Sequence, residues 1–244
     1  MSLELRNPHS VLAALEHRPQ DVLEIRLTAS APSSGWAEVT EAARARQIPI
    51  HTRFASERRH EQRGSPEGRQ GGCLAMVRER AGLSLEEMFA SSAEPVTQGV
   101  WLALDCLQDP QNVGAIVRTA AFFGVQGLIV TRDRSAPINA AVYDVASGGM
   151  ELVPFAQPPN LARALDLAKK AGLWILGSSE HAEKGIAEVP RDRPWLLVLG
   201  SEEQGLRRLT LELCDDVCRL TPRGKLASLN VSTAAAVLLS ELTR

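Results

Sequence analysis

The chain has 244 residues, 27 basic and 29 acidic side chains, a net charge of −2 and 44% apolar residues, the profile of a globular protein able to bury a sizeable core. No apolar run approaches the roughly 18 residues that a membrane span requires, and the Met-Ser-Leu-Glu-Leu start lacks a signal-peptide core, so a cytoplasmic address without membrane partners is expected. The four cysteines (Cys73, Cys106, Cys214, Cys218) form no C-x-x-C pair, which argues against a disulfide framework or a structural zinc.

In chain order, residues 8–18 predict a helix opened by Pro8 and Ser10, and Val22–Thr28 alternates as a strand. Ser30–Ser34 is turn-like, Ala37–Arg46 helical, and Ile48–Thr52 and Gly72–Arg78 are short strands. Residues 56–71 carry almost no apolar side chain and predict a mobile loop. The charge is uneven: Arg44–Arg80 holds nine arginines against four glutamates, and residues 81–244 hold fifteen basic and nineteen acidic side chains. Such a local positive field suits contact with an anion, although alone it also describes a solvated loop. A short helix and Ser-Ser-Ala-Glu-Pro between Leu83 and Gly99 mark a boundary, giving a unit over 1–80, a linker over 81–97 and a second unit over 98–244.

From Val100 the rhythm is that of a parallel sheet, with strands expected at Val100–Leu107, Leu128–Thr131, Leu152–Phe155, Trp174–Ser178, Trp195–Gly200 and Val217–Leu220. Helices are clearest at Val113–Phe123 and Leu161–Ala171. The last helix carries Val231, Ala234, Ala235, Leu238, Leu239 and Leu242 on one face. The fold class is α/β.

Three blocks carry the chemistry: Asp-Pro-Gln-Asn-Val-Gly-Ala-Ile-Val-Arg-Thr-Ala (109–120), Leu-Val-Leu-Gly-Ser-Glu-Glu-Gln-Gly-Leu (197–206) and Ser-Leu-Asn-Val-Ser-Thr-Ala-Ala-Ala (228–236). The middle block is a strand entering a glycine-flanked loop, which brings backbone polar groups close to a small ligand. The other two open helices with polar side chains facing a cleft. Gly200 and Gly205 have P-loop spacing, but Leu-Arg follows where Lys-Ser/Thr is needed, and no dinucleotide fingerprint is present. Of five histidines only His181 lies in the second unit, which leaves hydrolysis by a Ser-His-Asp arrangement unsupported, and no cluster has metal-ligand spacing. Asn112, Arg118, Glu202, Ser228 and Asn230 remain, with Arg118 the single cation. Such a set suits group transfer from a bound, pre-activated donor.

In order and spacing the blocks resemble motifs one, two and three of the SpoU/TrmH branch of the SPOUT RNA methyltransferases, over about Leu104–Leu242. The resemblance implies a parallel-sheet catalytic domain whose C-terminal part is threaded into a trefoil knot. It also implies an S-adenosylmethionine cofactor, no metal, methylation of an RNA ribose 2′-hydroxyl, and a homodimer. Leu199, Gly200, Gly205, Leu220, Pro222, Ser228, Leu229 and Asn230 would then hold the donor, and Asn112, Arg118, Glu202 and Asn230 would take the polar active-site positions. Arg118 suits a stabiliser of the developing alkoxide and of an RNA phosphate better than a base, because guanidinium stays protonated. Glu203 departs from the glycine usual in the second motif.

The first unit resembles the small ribosomal-protein-like RNA-binding domain of bacterial large-subunit rRNA (guanosine-2′-O-)methyltransferases, with Arg-Gln-Gly-Gly (69–72) where His-Gln-Gly is common. Arg58, Arg59, Arg63 and Arg69 are the expected RNA contacts. Large-subunit ribosomal RNA is the expected substrate, the alternatives being transfer RNA or a non-catalytic RNA-binding member. The apolar stripes of the Val113 and Val231 helices are taken as surface for a dimer.

Overall fold

The computed structural model describes residues 1–28, 33–53, 72–90, 98–201 and 204–244. The amino-terminal part builds a four-stranded sheet from β1 (Ser2–Leu5), β2 (Val22–Thr28), β3 (Ile50–Arg53) and β4 (Leu74–Arg78), in the order β1-β4-β2-β3. Only the β2–β3 pair is parallel, and its crossover is helix α2 (Ser34–Ala45). Helix α1 (Pro8–His17) is capped by Asn7, whose side chain accepts from His9 N at 2.9 Å, with Pro8 at its first position. That corrects the expected opening at Ser10: the Ser10 hydroxyl is buried and donates to Tyr143 O at 2.7 Å. A four-residue strand such as β1 has too few alternations to be read from sequence. It exists because its edge pairs with β4.

The larger sheet contains β5 (Val100–Leu104), β6 (Leu128–Val130), β7 (Phe155–Ala156), β8 (Trp174–Ser178), β9 (Lys184–Gly185), β10 (Trp195–Leu199) and β11 (Asp216–Arg219), all parallel, in the order β7-β6-β5-β10-β8-β11-β9. Every residue of β5 and β10 is buried, the mark of central parallel strands covered on both faces. Alternate side chains separate cleanly. Leu102, Leu104, Leu197 and Leu199 join the core under α4 (Pro110–Phe122), α5 (Ala140–Ala146), α6 (Gly149–Leu152) and α9 (Val231–Leu242). Trp101, Ala103, Leu196 and Val198 join the one under α3 (Leu85–Ala90) and α7 (Leu161–Lys170). Leu102, fully buried, is a position where truncation to alanine would cost about 2–5 kcal/mol.

Two expectations change, and a third gains detail. Residues 152–155 are not one strand: Gly148 at φ 95° turns the chain into α6, and β7 begins only at Phe155. A four-residue apolar run does not distinguish helix from strand, and α5, though capped by Asn139, was not expected at all. Within the stretch expected as a linker, Leu85, Met88 and Phe89 of α3 are buried in the core. Finally, Val113, Ile116, Val117 and Ala120 are fully buried and α4 packs on α9 within one chain. The two stripes therefore cover each other and the sheet, and are not dimer surface. The expected loop over 56–71 lies wholly outside the described residues.

The amino-terminal part is locked to the large sheet. Arg18 donates through Nε and Nη2 to the two oxygens of Glu151 at 2.7 and 2.8 Å, and both residues are 7% exposed. The Asp144 carboxylate accepts from Arg6 N and Asn7 N, each at 2.9 Å. Leu5, Val11 and Leu15 share one apolar cluster with Tyr143 and Met150.

Candidate active site

β5, β6 and β7 extend the sheet in one direction, whereas β8, β9 and β11 lie beyond β10 on the other side. The order reverses between β5 and β10, whose ends are level because Leu104 pairs with Leu199. In an open parallel sheet the crevice outside the carboxyl ends at such a reversal is where ligands bind. A cleft lies there, lined by Cys106, Leu107, Gln108, Asp109, Asn112, Ser201, Gln204 and Val231.

Asp105, the residue after β5, organises its floor. It is fully buried, its N–H donates to Leu199 O at 2.8 Å, and its carboxylate accepts from Arg207 Nε and Thr210 Oγ1, both at 2.7 Å. This ties the end of β5 to the start of α8 (Arg208–Leu213) and so sets the loop between β10 and α8. Sequence reasoning missed Asp105; its one signal is a lone acid ending an apolar run. Cys106 follows at φ 61°. Burial and the Asp105 carboxylate push its thiol above the ordinary range, against the opposing pull of Arg207 and Arg134, which keeps it protonated and unsuited as a nucleophile.

The loop after β10 is closed on itself. Ser201 N donates to Gly205 O at 3.1 Å and Gly205 N to Ser201 O at 2.9 Å. A Cβ on Gly200 would sit 2.1 Å from the Gly205 carbonyl carbon. Glycine is therefore demanded at 200 by the loop's own backbone, before any ligand is considered. Gly205, at φ 63°, is needed for its conformation and not for space.

Asp109 caps α4 by accepting from Gln111 N at 2.9 Å, and Asn230 caps α9 by accepting from Ser232 N at 2.9 Å. These caps set Asn112 and Asn230 side by side: Asn230 Nδ2 donates to Asn112 Oδ1 at 3.0 Å. The first and third blocks thus meet at the cleft, beside Ser201 and Gln204 of the second. Arg118 does not line it. Six residues after Asn112, it lies about 240° round the helix, and its Nη1 donates to Ser147 Oγ at 3.2 Å. Leu220 is half-buried against the core, whereas Pro222, Ser228 and Leu229 lie in a segment, 221–230, that is exposed throughout. Glu202, Glu203, Arg58, Arg59, Arg63 and Arg69 fall outside the described residues. His181 is exposed. Among the described residues no group of His, Cys, Asp and Glu could hold a metal ion, and no helix is long and apolar enough to cross a membrane.

The model of the SpoU rRNA methylase family matches residues 99–240, all three blocks included. The chain belongs to the SpoU rRNA methylase family. The 23S rRNA (guanosine-2′-O-)-methyltransferase RlmB of Pseudomonas aeruginosa is 38% identical over 238 residues, covering 97% of this chain and 94% of that protein. Its counterpart in Bordetella pertussis is 35% identical over 237 residues, with 97% and 94% covered. Among solved structures, the SpoU methyltransferase AviRb from Streptomyces viridochromogenes, in complex with the cofactor AdoMet, matches with a TM-score of 0.78 at 21% identity, covering 99% of this chain and 89% of that one. That identity speaks for a shared SpoU fold alone. Both parts of this family member, the smaller sheet and the larger, are spanned by these matches.

Proposed function

We propose that this SpoU family member transfers a methyl group from S-adenosylmethionine to the ribose 2′-hydroxyl of a guanosine in large-subunit ribosomal RNA. The observation that carries the reading is the 38% identity over 97% of the chain with a protein named for that reaction. A relative matched from end to end favours this substrate over transfer RNA and over a non-catalytic role.

The residues suit the donor. Segment 221–230 is exposed, with Leu226 and Leu229 at 82% and 51%. No N–H of residues 222–229 bonds another described backbone group, so apolar surface and backbone donors stand ready for a ligand with an adenine and polar ends. Leu220, Pro222, Ser228 and Leu229 would hold it beside the Gly200–Gly205 loop. The donor supplies a methyl group on a sulfonium, an activated leaving arrangement needing no metal. Asn112 and Asn230 offer amides to orient the ribose, and Arg118 would steady a phosphate and the ribose oxygen as its proton passes to water and the methyl group moves from sulfur to it, leaving S-adenosylhomocysteine.

The reading includes a homodimer, because Arg118 stands away from the cleft of its own chain and would serve that of a second copy. Exposed Phe122, Leu226, Leu229 and Val237 supply apolar area for such contact. It also includes threading of the C-terminal part as a knot, supported by β10 entering between β5 and β8, and β11 between β8 and β9, after those strands in chain order. Residues 1–80 are proposed as the RNA reader, with Arg58, Arg59, Arg63 and Arg69 as contacts, joined through 81–97 to a methyltransferase unit over 98–244, all acting in the cytoplasm. The test is to map ribose methylation of ribosomal and transfer RNA from cells with and without the gene. Loss of one guanosine 2′-O-methyl group in large-subunit RNA is expected; loss confined to transfer RNA, or none, overturns the assignment.

A further inference from the structure

The oxygen that holds Arg118 is shared. Ser147 Oγ accepts from Arg118 Nη1 at 3.2 Å and from Asn7 Nδ2 at 2.9 Å, while its own proton is directed to Val145 O at 3.4 Å. A hydroxyl has one proton and two lone pairs, and here all are used. Ser147 also stands in the left-handed region at φ 48°, ahead of Gly148 at φ 95°. A side chain in that region is strained, and glycine would not be. The strained position therefore carries a hydroxyl whose contacts lead to Arg118 on one side and to the amino-terminal part on the other.

Asn7 is firmly held. Its Nδ2 also donates to Asp144 O at 2.7 Å, its N–H to Asp144 Oδ1 at 2.9 Å, and its Oδ1 caps α1. Two residues beyond Ser147, a Cβ on Gly149 would lie 3.2 Å from the Arg118 Cα, so the start of α6 is pressed against the backbone that carries the guanidinium. We infer that Ser147 and Asn7 are positioning residues for Arg118, through which the amino-terminal part sets the direction of that side chain. The inference rests on the reading of Arg118 as the group that meets the reacting RNA.

The test uses the full-length protein. Ser147→Gly removes the hydroxyl and relieves the left-handed strain, so the melting temperature should not fall. Turnover should fall about tenfold or more, the order expected when a reacting group is misplaced and not removed, with KM for RNA and donor affinity changed less than twofold. Asn7→Ser keeps a residue able to cap α1 but loses the amide donor, and should lower turnover in the same way. Combined with Arg118→Ala, Ser147→Gly should add nothing further. Wild-type turnover in Ser147→Gly beside an inactive Arg118→Ala overturns the positioning role and leaves the reading of Arg118 standing. Losses that add in the double variant also overturn it. Full activity in Arg118→Ala overturns that reading, and this inference with it.

Discussion

Asn230 Nδ2 donates to Asn112 Oδ1 at 3.0 Å, joining residues 118 positions apart. Each is held by a helix start, so the pair is as rigid as the packing of α4 on α9. Asn230→Asp separates its two roles. Aspartate caps a helix as well as asparagine but donates nothing to Asn112, so the melting temperature should stay within about 2 °C while methyl transfer falls by about a hundredfold. Thermal melts and single-turnover assays on one preparation check both, and unchanged turnover would remove the pair from the site.

Gly200 and Gly205 should respond differently. Gly200→Ala puts a Cβ 2.1 Å from the Gly205 carbonyl carbon, so the loop must open and S-adenosylmethionine binding by calorimetry should weaken by at least tenfold, in line with a loss of roughly 1.4 kcal/mol or more. Gly205 has open space around its Cβ and a left-handed backbone. Asparagine tolerates that conformation and valine does not, so Gly205→Asn should keep donor binding and Gly205→Val should lose it.

The Arg18–Glu151 pair is buried on both sides. Glu151→Ala removes the two-pronged partner of a buried guanidinium and leaves it only the Asp21 carboxylate at 3.5 Å and the Arg78 carbonyl, so it should destabilise the protein by about 3 kcal/mol. Chemical denaturation measures it. For the same reason a fragment over 98–244, which lacks Arg18 and leaves Tyr143 and Met150 uncovered, should melt well below the full chain.

Cys106 lines the cleft and is half-exposed, yet its thiol is shifted upward from 9.0 by burial and by Asp105. Since the thiolate is the reactive form, iodoacetamide should label Cys106 at pH 8 more slowly than a free model thiol, and its rate should keep climbing above pH 9. Mass spectrometry of the alkylated peptide reads the rate; labelling faster than the free thiol contradicts the geometry.

Reversing charge at Arg58, Arg59 and Arg63 should weaken RNA binding and leave donor affinity alone. If each makes one phosphate contact, the salt dependence should flatten by roughly 2–3 units of the log–log slope. Equal slopes for variant and parent would show that the basic segment does not touch RNA.

Much of this architecture is local information and was legible along the chain. The runs at Val22–Thr28, Trp174–Ser178 and Trp195–Leu199 announce strands because alternation and burial act over a few residues, and the stripe of α4 announces a helix for the same reason. The residues of the three blocks pointed to group transfer from a bound donor, and their resemblance to the SpoU/TrmH motifs supplied the rest of the chemistry. Which strands are neighbours is a different kind of fact. That β10 lies between β5 and β8, that Asn112 meets Asn230, and that Asp105 anchors Arg207 are contacts over about a hundred residues, set by how the sheet closes its two apolar faces, and no local period encodes them. The same packing turned the α4 and α9 stripes inward and left Arg118 on the side of Ser147, because a helix surface takes its meaning only from what the rest of the chain lays against it.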